Sequence, residues 1–250
     1  MIKVFIDGQS GTTGLRIRDR LLKRDDIELL EIPQDKRKDS AEISKYINDS
    51  DITFLCLPDD AAREAVKLLD SSNSHTKIID SSTAHRTEPG WAYGFAELSP
   101  EFRKNIAENR LIANPGCYAS GFISIVYPLI AHGAIAKDYP LTCFAVSGYS
   151  GGGKSAIAQY EDAERDTELD SPRQYGLTQQ HKHLKEMKAI TGIERYPVFS
   201  PMICDYKCGM VVSIPFHTDM LCSGYKTKDV REILEEHYNC LLYTSPSPRD

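Results

Sequence analysis

The 250-residue chain is 41% hydrophobic, enough for one large or two modest domains with a substantial core. Its 30 basic and 36 acidic residues are mixed along the chain and give a formal charge of -6, so charge supplies no case for nucleic acid or an anionic membrane as partner. The 7 cysteines are odd in number and widely scattered, which argues for reduced thiols rather than a disulfide framework; Cys204 and Cys208 have half of a zinc spacing but no second pair follows, so no metal site is expected.

Met1 opens directly on a strand pattern at 2–6, with no secretory leader. Helix patterns at 13–23, 43–48 and 59–69 alternate with strand patterns at 27–32, 52–57 and 77–80. The 52–57 run is continuously apolar, as in a strand buried on both faces. The alternation predicts an α/β fold, a Rossmann-type doubly wound parallel sheet. A short strand over 110–113 then meets the breaker Pro115-Gly116, and a helix is expected over 118–127. Beyond it, longer strands at 141–147 and 210–216 surround a polar helical stretch at 178–190, which predicts a second, α+β domain. The expected division is 1–117 and 118–239, with the boundary near 118–133. The longest mostly apolar stretch, 122–136, is interrupted by Ser124, Pro128, His132 and Gly133 and is too short to cross a bilayer, so a cytoplasmic protein is expected. An amphipathic helix capped by Thr227 closes the pattern at 239. The remainder, 240–250, contains Ser-Pro-Ser-Pro and reads as a disordered or non-native tail.

Five places carry chemistry. Gly8-Gln9-Ser10-Gly11-Thr12-Thr13-Gly14 follows the first strand and opens the first helix, the context in which glycines let backbone approach a pyrophosphate; Ser10, Thr12 and Thr13 add hydroxyl donors. The second strand runs into Lys36-Arg37-Lys38, where a dinucleotide fold meets the adenosine ribose, and this favours the 2′-phosphate of NADP; a solvated charge run is the competing interpretation. Cys117 falls at the start of the 118–127 helix, where exposed N–H groups and the dipole favour thiolate, against the alternative of a small buried hydrophobe. His181 and His183, with Glu186 nearby, lie on the polar helical stretch, and a histidine is the natural partner of a thiol nucleophile; spacing does not choose between the two. Arg86 follows the strand at 77–80 at its carboxyl end and suits a phosphate or carboxylate.

A rival motif is Gly148-Tyr-Ser-Gly-Gly-Gly153-Lys154-Ser155, which matches the P-loop pattern and would hold nucleotide phosphates and magnesium. It lies after a complete dinucleotide-type domain, and no later strand ends in a clear magnesium-binding aspartate. The loop is better taken as a glycine-rich turn with Ser147 and Gly148 facing the active site.

In this order and spacing, the Gly8–Gly14 loop, Asp80-Ser-Ser-Thr-Ala-His-Arg86-Thr, Asn114-Pro-Gly-Cys117-Tyr, Ser147-Gly148-Tyr-Ser-Gly-Gly-Gly-Lys and His181-Lys-His183 closely resemble N-acetyl-γ-glutamyl-phosphate reductases of the shorter, type 2 subfamily, over residues 1 to about 239. The resemblance implies NADPH-dependent interconversion of N-acetyl-γ-glutamyl phosphate with N-acetylglutamate 5-semialdehyde and phosphate in arginine biosynthesis. It makes Cys117 the thioester-forming nucleophile and His181, six residues after Tyr175, the acid-base group, with His183 as alternative. Arg86, Ser147, Tyr175 and His183 become substrate-side residues, and Gly148 joins Gly8, Ser10, Gly11, Thr12, Thr13, Gly14, Lys36 and Arg37 on the cofactor side. A small-molecule substrate and a homo-oligomer are further implications. A related semialdehyde dehydrogenase, such as one acting on aspartate semialdehyde, is the near alternative. Type 2 members continue well past position 240, so the chain as written is expected to be unstable or weakly active.

Overall fold

The computed structural model describes residues 1–222 and 224–239, so the tail expected at 240–250 lies outside the described residues. The chain divides into two compact units, the first made of Met1–Phe95, Glu101–Pro115 and Gly152–Ala158, the second of Ala96–Pro100, Gly116–Gly151 and the chain from Gln159 onward.

In the first unit, strands and helices alternate: β1 (Ile2–Asp7), α1 (Thr12–Leu21), β2 (Ile27–Leu30), α2 (Ser40–Asp49), β3 (Ile52–Leu55), α3 (Asp59–Val66), β4 (Lys77–Asp80), β5 (Ala92–Tyr93), α4 (Pro100–Glu108) and β6 (Leu111–Ala113). The six strands lie in the order β2-β1-β3-β4-β6-β5, and every pair is parallel. Consecutive residues Val4, Phe5 and Ile6 are all buried, as a sheet covered on both faces requires. Phe5 packs with Ile32 and Ile47, whereas Leu55 and Ile78 pack with Ala62, Ala65 and Ala84. From β1 the chain goes first to β2 on one side and then to β3 and β4 on the other. That reversal opens a crevice at the carboxyl ends of β1 and β3, where ligands of doubly wound sheets bind.

Helix α2 begins earlier than the apolar pattern at 43–48 indicates, because the Asp39 carboxylate accepts from the amides of Ala41 and Glu42 at 2.9 and 3.4 Å. The strand at 52–57 stops at Leu55, short of Pro58, which caps α3.

The second unit contains α5 (Cys117–Ala131), β7 (Thr142–Gly148), β8 (Arg173–Gln174), α7 (His183–Thr191), β9 (Val198–Cys204), β10 (Met210–Ser213) and α8 (Thr227–Tyr238), whereas helix α6 (Gly153–Glu161) starts in the first unit and only its end belongs to the second. Its sheet runs β10-β7-β9-β8, with β7 and β9 parallel and both outer pairs antiparallel. Helix α5 packs on α7, α8 and β10. It can lie flush on β10 because residue 121 is glycine; a Cβ there would come within 2.6 Å of Val212. The helix outlasts the expected 118–127 and passes through Pro128. Proline cannot donate to the carbonyl four residues back, and here the Tyr238 hydroxyl donates to Ser124 O instead, at 2.7 Å.

Two expectations need correction. The helix at 178–190 exists only from His183, so His181 stands on the loop before α7. Helix α8 is capped by Lys226, whose amide donates to the Asp229 carboxylate at 2.6 Å, and Thr227 is its first helical residue rather than its cap.

Candidate active site

The glycine-loop residues belong to the first unit. Gly8 follows β1 with φ +80°, and a Cβ there would stand 2.3 Å from the Cys56 carbonyl at the end of β3. Gly14, inside α1, would bring a Cβ within 2.6 Å of Gly8 O. The loop therefore folds back tightly on its own helix, and the Gly11 amide closes the turn onto Gly8 O at 3.0 Å. Gly11 is the N-cap of α1 and no side chain caps that terminus, which leaves the amides at Thr12 and Thr13 open to an anion. Beside Ser10 lies a cleft of about 330 Å³ lined by Gln9, Leu15, Arg18, Glu31, Ile32 and Arg37. Arg37 Nε is buried there without a hydrogen-bond partner. Lys36 instead turns to Glu42 at 3.1 Å, and that carboxylate holds its ammonium pKa above the ordinary value. A larger cavity, about 620 Å³, lies around Leu69, Asn105 and Arg110 and contains none of the glycine-loop residues.

A glycine cradle, an uncapped helix start and an orphaned guanidinium donor together fit a phosphate-bearing dinucleotide. Sequence reasoning missed Arg18 and Glu31, which form an ion pair across this cleft at 2.7 Å. The signal was weak, because Arg18 reads as an ordinary solvent-facing position of α1.

Also in this unit, Arg86 stands on the loop after β4 and donates to Asn114 O at 2.9 Å and Ser81 O at 3.2 Å. The loop is held from beneath by Asp80, fully buried, which bonds His85 Nδ1 and the Ser82 hydroxyl, each at 2.6 Å. Trp91 stacks on His85 at 4.0 Å.

Cys117 belongs to the second unit. Cys117 is exposed and is the first residue of α5, behind the N-cap Gly116, and no side chain caps that helix. The next residue, Tyr118, is buried, and its hydroxyl bonds Ser147 Oγ at 2.6 Å and accepts from the Tyr175 hydroxyl at 3.0 Å. The rings of His181 and His183 stand 6.0 and 5.9 Å from that of Tyr118 and 4.7 Å from each other. His181 Nδ1 accepts from the His183 amide at 3.2 Å, so its outward nitrogen is Nε2. Burial, with Lys182 adding to it, holds the His181 imidazolium pKa below the ordinary value. Burial and the bond to Tyr118 push the Tyr175 hydroxyl far up, so it keeps its proton at neutral pH. By contrast, burial drives the Cys143 thiol up to about 12 and the Cys56 thiol up to about 11, which removes both as nucleophiles near neutrality.

Gly148 is accounted for by packing. Its amide donates to Gly209 O, that of Tyr149 to Tyr206 O and that of Ser150 to Lys207 O, each at 3.0 Å. A P-loop needs such amides for phosphate, and here they are engaged by the loop between β9 and β10. A Cβ at 148 would stand 2.5 Å from Tyr206 O, which is reason enough for glycine.

The family models that match are the semialdehyde dehydrogenase NAD binding domain, over residues 3–106, and the semialdehyde dehydrogenase dimerisation domain, over residues 117–242. The N-acetyl-γ-glutamyl-phosphate reductase of Brucella ovis is 48% identical over 237 residues, 94% of this chain and 76% of that protein. That of Sinorhizobium medicae is 47% identical over the same shares. The chain belongs to the N-acetyl-γ-glutamyl-phosphate reductase family. Its reaction is accordingly the NADPH-dependent reductive dephosphorylation of N-acetyl-γ-glutamyl phosphate to N-acetylglutamate 5-semialdehyde, a step of arginine biosynthesis.

Solved structures extend the likeness of fold. An aspartate semialdehyde dehydrogenase from Francisella tularensis superposes with TM-score 0.68 at 13% identity, over 95% of this chain and 81% of that one. The Candida albicans enzyme, solved with NADP, gives 0.65 at 16%, over 94% and 76%. At such identities only the architecture is shared, so the aspartate enzyme is a neighbour in fold, whereas the reductases of the N-acetylglutamyl step are relatives in sequence. Among the described residues no helix is long and apolar enough to cross a membrane.

Proposed function

We propose that this reductase divides its chemistry between its first unit, which holds NADPH, and its second unit, which carries the acyl group on Cys117. The observation that carries the assignment is Cys117 itself, an exposed thiol on the first turn of a 15-residue helix, with two histidine rings packed around the residue that follows it. Thiolate is favoured at such a terminus, and acyl phosphates are strong electrophiles. Sγ attacks the acyl carbon, the bond from that carbon to the phosphate oxygen breaks, and inorganic phosphate leaves. Bound NADPH supplies the hydride that reduces the thioester carbonyl. His181, having taken the proton of the Cys117 thiol on its outward Nε2, gives it to the oxygen, and the resulting thiohemiacetal returns that proton as the C–S bond breaks, releasing aldehyde and regenerating thiolate. Tyr175 and Ser147 fix Tyr118 behind the thiol and border the substrate, with His183 beside them. Arg86, on the loop after β4, takes the phosphate through its guanidinium. On the cofactor side, Gly8, Ser10, Gly11, Thr12, Thr13 and Gly14 receive the pyrophosphate, and Arg37 receives the 2′-phosphate, with Lys36 adding charge at the rim.

Phosphate-dependent NADP reduction by N-acetylglutamate semialdehyde tests the assignment. Cys117→Ser is expected to lower kcat by about 10³-fold or more. A serine variant with wild-type turnover would reject the thioester, and a higher kcat/KM for aspartate semialdehyde would reject the substrate.

The enzyme is further proposed to be cytoplasmic and to work as a homo-oligomer. One face of the second unit's sheet carries Phe144, Val198 and Val211, which are 43%, 56% and 62% exposed, and Val146 lies opposite Val211 in the register. An apolar face of this kind favours a second copy as its cover. A monomer by sedimentation at micromolar concentration would overturn that arrangement.

A further inference from the structure

We infer that Asp80 and His85 form a positioning pair for Arg86, a buried carboxylate and imidazole that set the loop after β4 so that the guanidinium meets the substrate's phosphate at the carboxyl end of the first unit's sheet. The inference rests on the reading of Arg86 as the phosphate ligand and adds to it the two residues that aim it.

Asp80 is fully buried and His85 is 6% exposed. The Asp80 carboxylate accepts from the Ser82 amide at 2.9 Å and from the Ser82 hydroxyl at 2.6 Å. It also meets His85 Nδ1 at 2.6 Å, and since a carboxylate only accepts, Nδ1 is the donor. Trp91 lies on the imidazole at 4.0 Å with the ring planes 9° apart, which fixes the plane of the histidine. A carboxylate buried this far is costly unless its partners compensate it, whereas an apolar side chain would pack beneath Trp91 without that cost.

Other bonds secure the beginning of the loop. Ser81 bonds Leu55 O through its amide at 2.9 Å and its hydroxyl at 2.8 Å. The Thr83 amide donates to Asp59 at 2.8 Å, and Ala84 O accepts from Arg63 at 2.8 Å. These contacts hold 81–84 against β3 and α3, and the Asp80–His85 bond carries that order on to the residue before Arg86.

The supports of the guanidinium converge on Asp80 as well. Arg86 Nε donates to Asn114 O at 2.9 Å and Nη2 to Ser81 O at 3.2 Å. Ser81 follows Asp80 in the chain, and the Asn114 amide donates to Asp80 O at 2.8 Å. Asp80 is therefore fastened to both carbonyls by main chain and to the neighbour of Arg86 by side chain. Neutral carbonyls orient a guanidinium without cancelling its charge, which stays available to an anion. Ordering a long arginine side chain costs entropy, and a loop set in advance has met that cost before phosphate arrives.

The experiment uses the full chain and the reverse reaction, NADP reduction by N-acetylglutamate semialdehyde, with inorganic phosphate as the varied probe. Here kcat/KM for phosphate reports the phosphate step, and kcat/KM for NADP reports the hydride step. His85→Phe keeps a ring on Trp91 and removes the donor to Asp80. Its kcat/KM for phosphate is expected to fall about tenfold, and that for NADP less than about twofold. His85→Asn returns a donor close to the place of Nδ1 and should recover all but about threefold of the wild-type value. Arg86→Ala should itself lose about thirtyfold or more for phosphate, and adding His85→Phe to it should cost less than about twofold further, because no guanidinium is left to aim. Losses that multiply in the double variant overturn the inference. So does a fall shared equally by phosphate and NADP, which is what a merely structural role would give. If His85→Phe does not fold, Asp80→Asn is judged by the same two criteria. Arg86→Ala with a wild-type kcat/KM for phosphate rejects the phosphate assignment and the inference with it, whereas a lowered value beside an unaffected His85→Phe rejects the inference alone.

Discussion

The two halves of this enzyme solve the same problem, placing a reactive group, with opposite materials. In the first unit the cradle is backbone: Gly8 at φ +80°, Gly14 against Gly8 O, and an uncapped helix start, all within seven residues of one another. In the second unit it is side chains brought from afar, Glu186 to Gly116, Tyr175 to Tyr118 and His181 beside both. A backbone cradle tolerates change in what surrounds it but none in the glycines. A side-chain cradle spreads its requirements over several residues, each worth less.

The largest effect should therefore come from the smallest substitution. Gly8→Ala forces a Cβ to 2.3 Å from Cys56 O at a left-handed φ, and the first unit is expected to lose about 2–4 kcal/mol. The chain has one tryptophan, Trp91, stacked on His85 in that unit, so urea melts followed by its fluorescence report the loss. A wild-type midpoint would mean that the loop relaxes and that its glycines are not obligatory. A smaller effect, about tenfold, is expected in the Kd for NADP when Arg37→Ala removes the orphaned donor, with little change for NAD. Equal losses for both cofactors would place the 2′-phosphate elsewhere.

The same contrast explains what could be read from the sequence. The Gly8–Gly14 loop was legible because its information is local and the flanking strand and helix give it context. The position of Cys117 was legible because Pro115-Gly116 interrupts an apolar strand directly before an apolar helix. Helix α4 was not, since it has no buried residue and hence no apolar stripe to find. Strand β9 was hidden by Pro201. The Pro201 carbonyl accepts from Tyr175 on the β8 side, so its missing donor faces the side where β8 has ended at Gln174. The placement of His181 before α7 was misjudged because polarity alone does not mark where a helix begins. Glu186 was seen as a neighbour of the histidines, but no spacing rule links it to an amide 70 residues earlier.

The finest test of the contrast is pH. Burial raises the pKa of Asp7, at the end of β1 in the first unit, and lowers that of His181 in the second. The two shifts act on stability with opposite signs. For His181 the unfolded chain takes up a proton near the ordinary value of 6.5 while the folded chain resists, so acid destabilises the second unit as pH falls through that value. For Asp7 the folded chain holds its proton above the ordinary 3.8, so the penalty of a buried carboxylate is present at neutral pH and vanishes in acid. Asp7→Asn keeps an acceptor for the Gly8 amide and removes the charge. It should raise the Trp91-reported midpoint at pH 7, and the gain should fade as the pH approaches 3.8. His181→Gln should flatten the acid side of the second unit's profile, read by hydrogen exchange in α5, without altering the Asp7 effect. If both variants shifted both units alike, the halves would not be energetically separable, and the distinction between a backbone cradle and a side-chain cradle would describe geometry without describing stability.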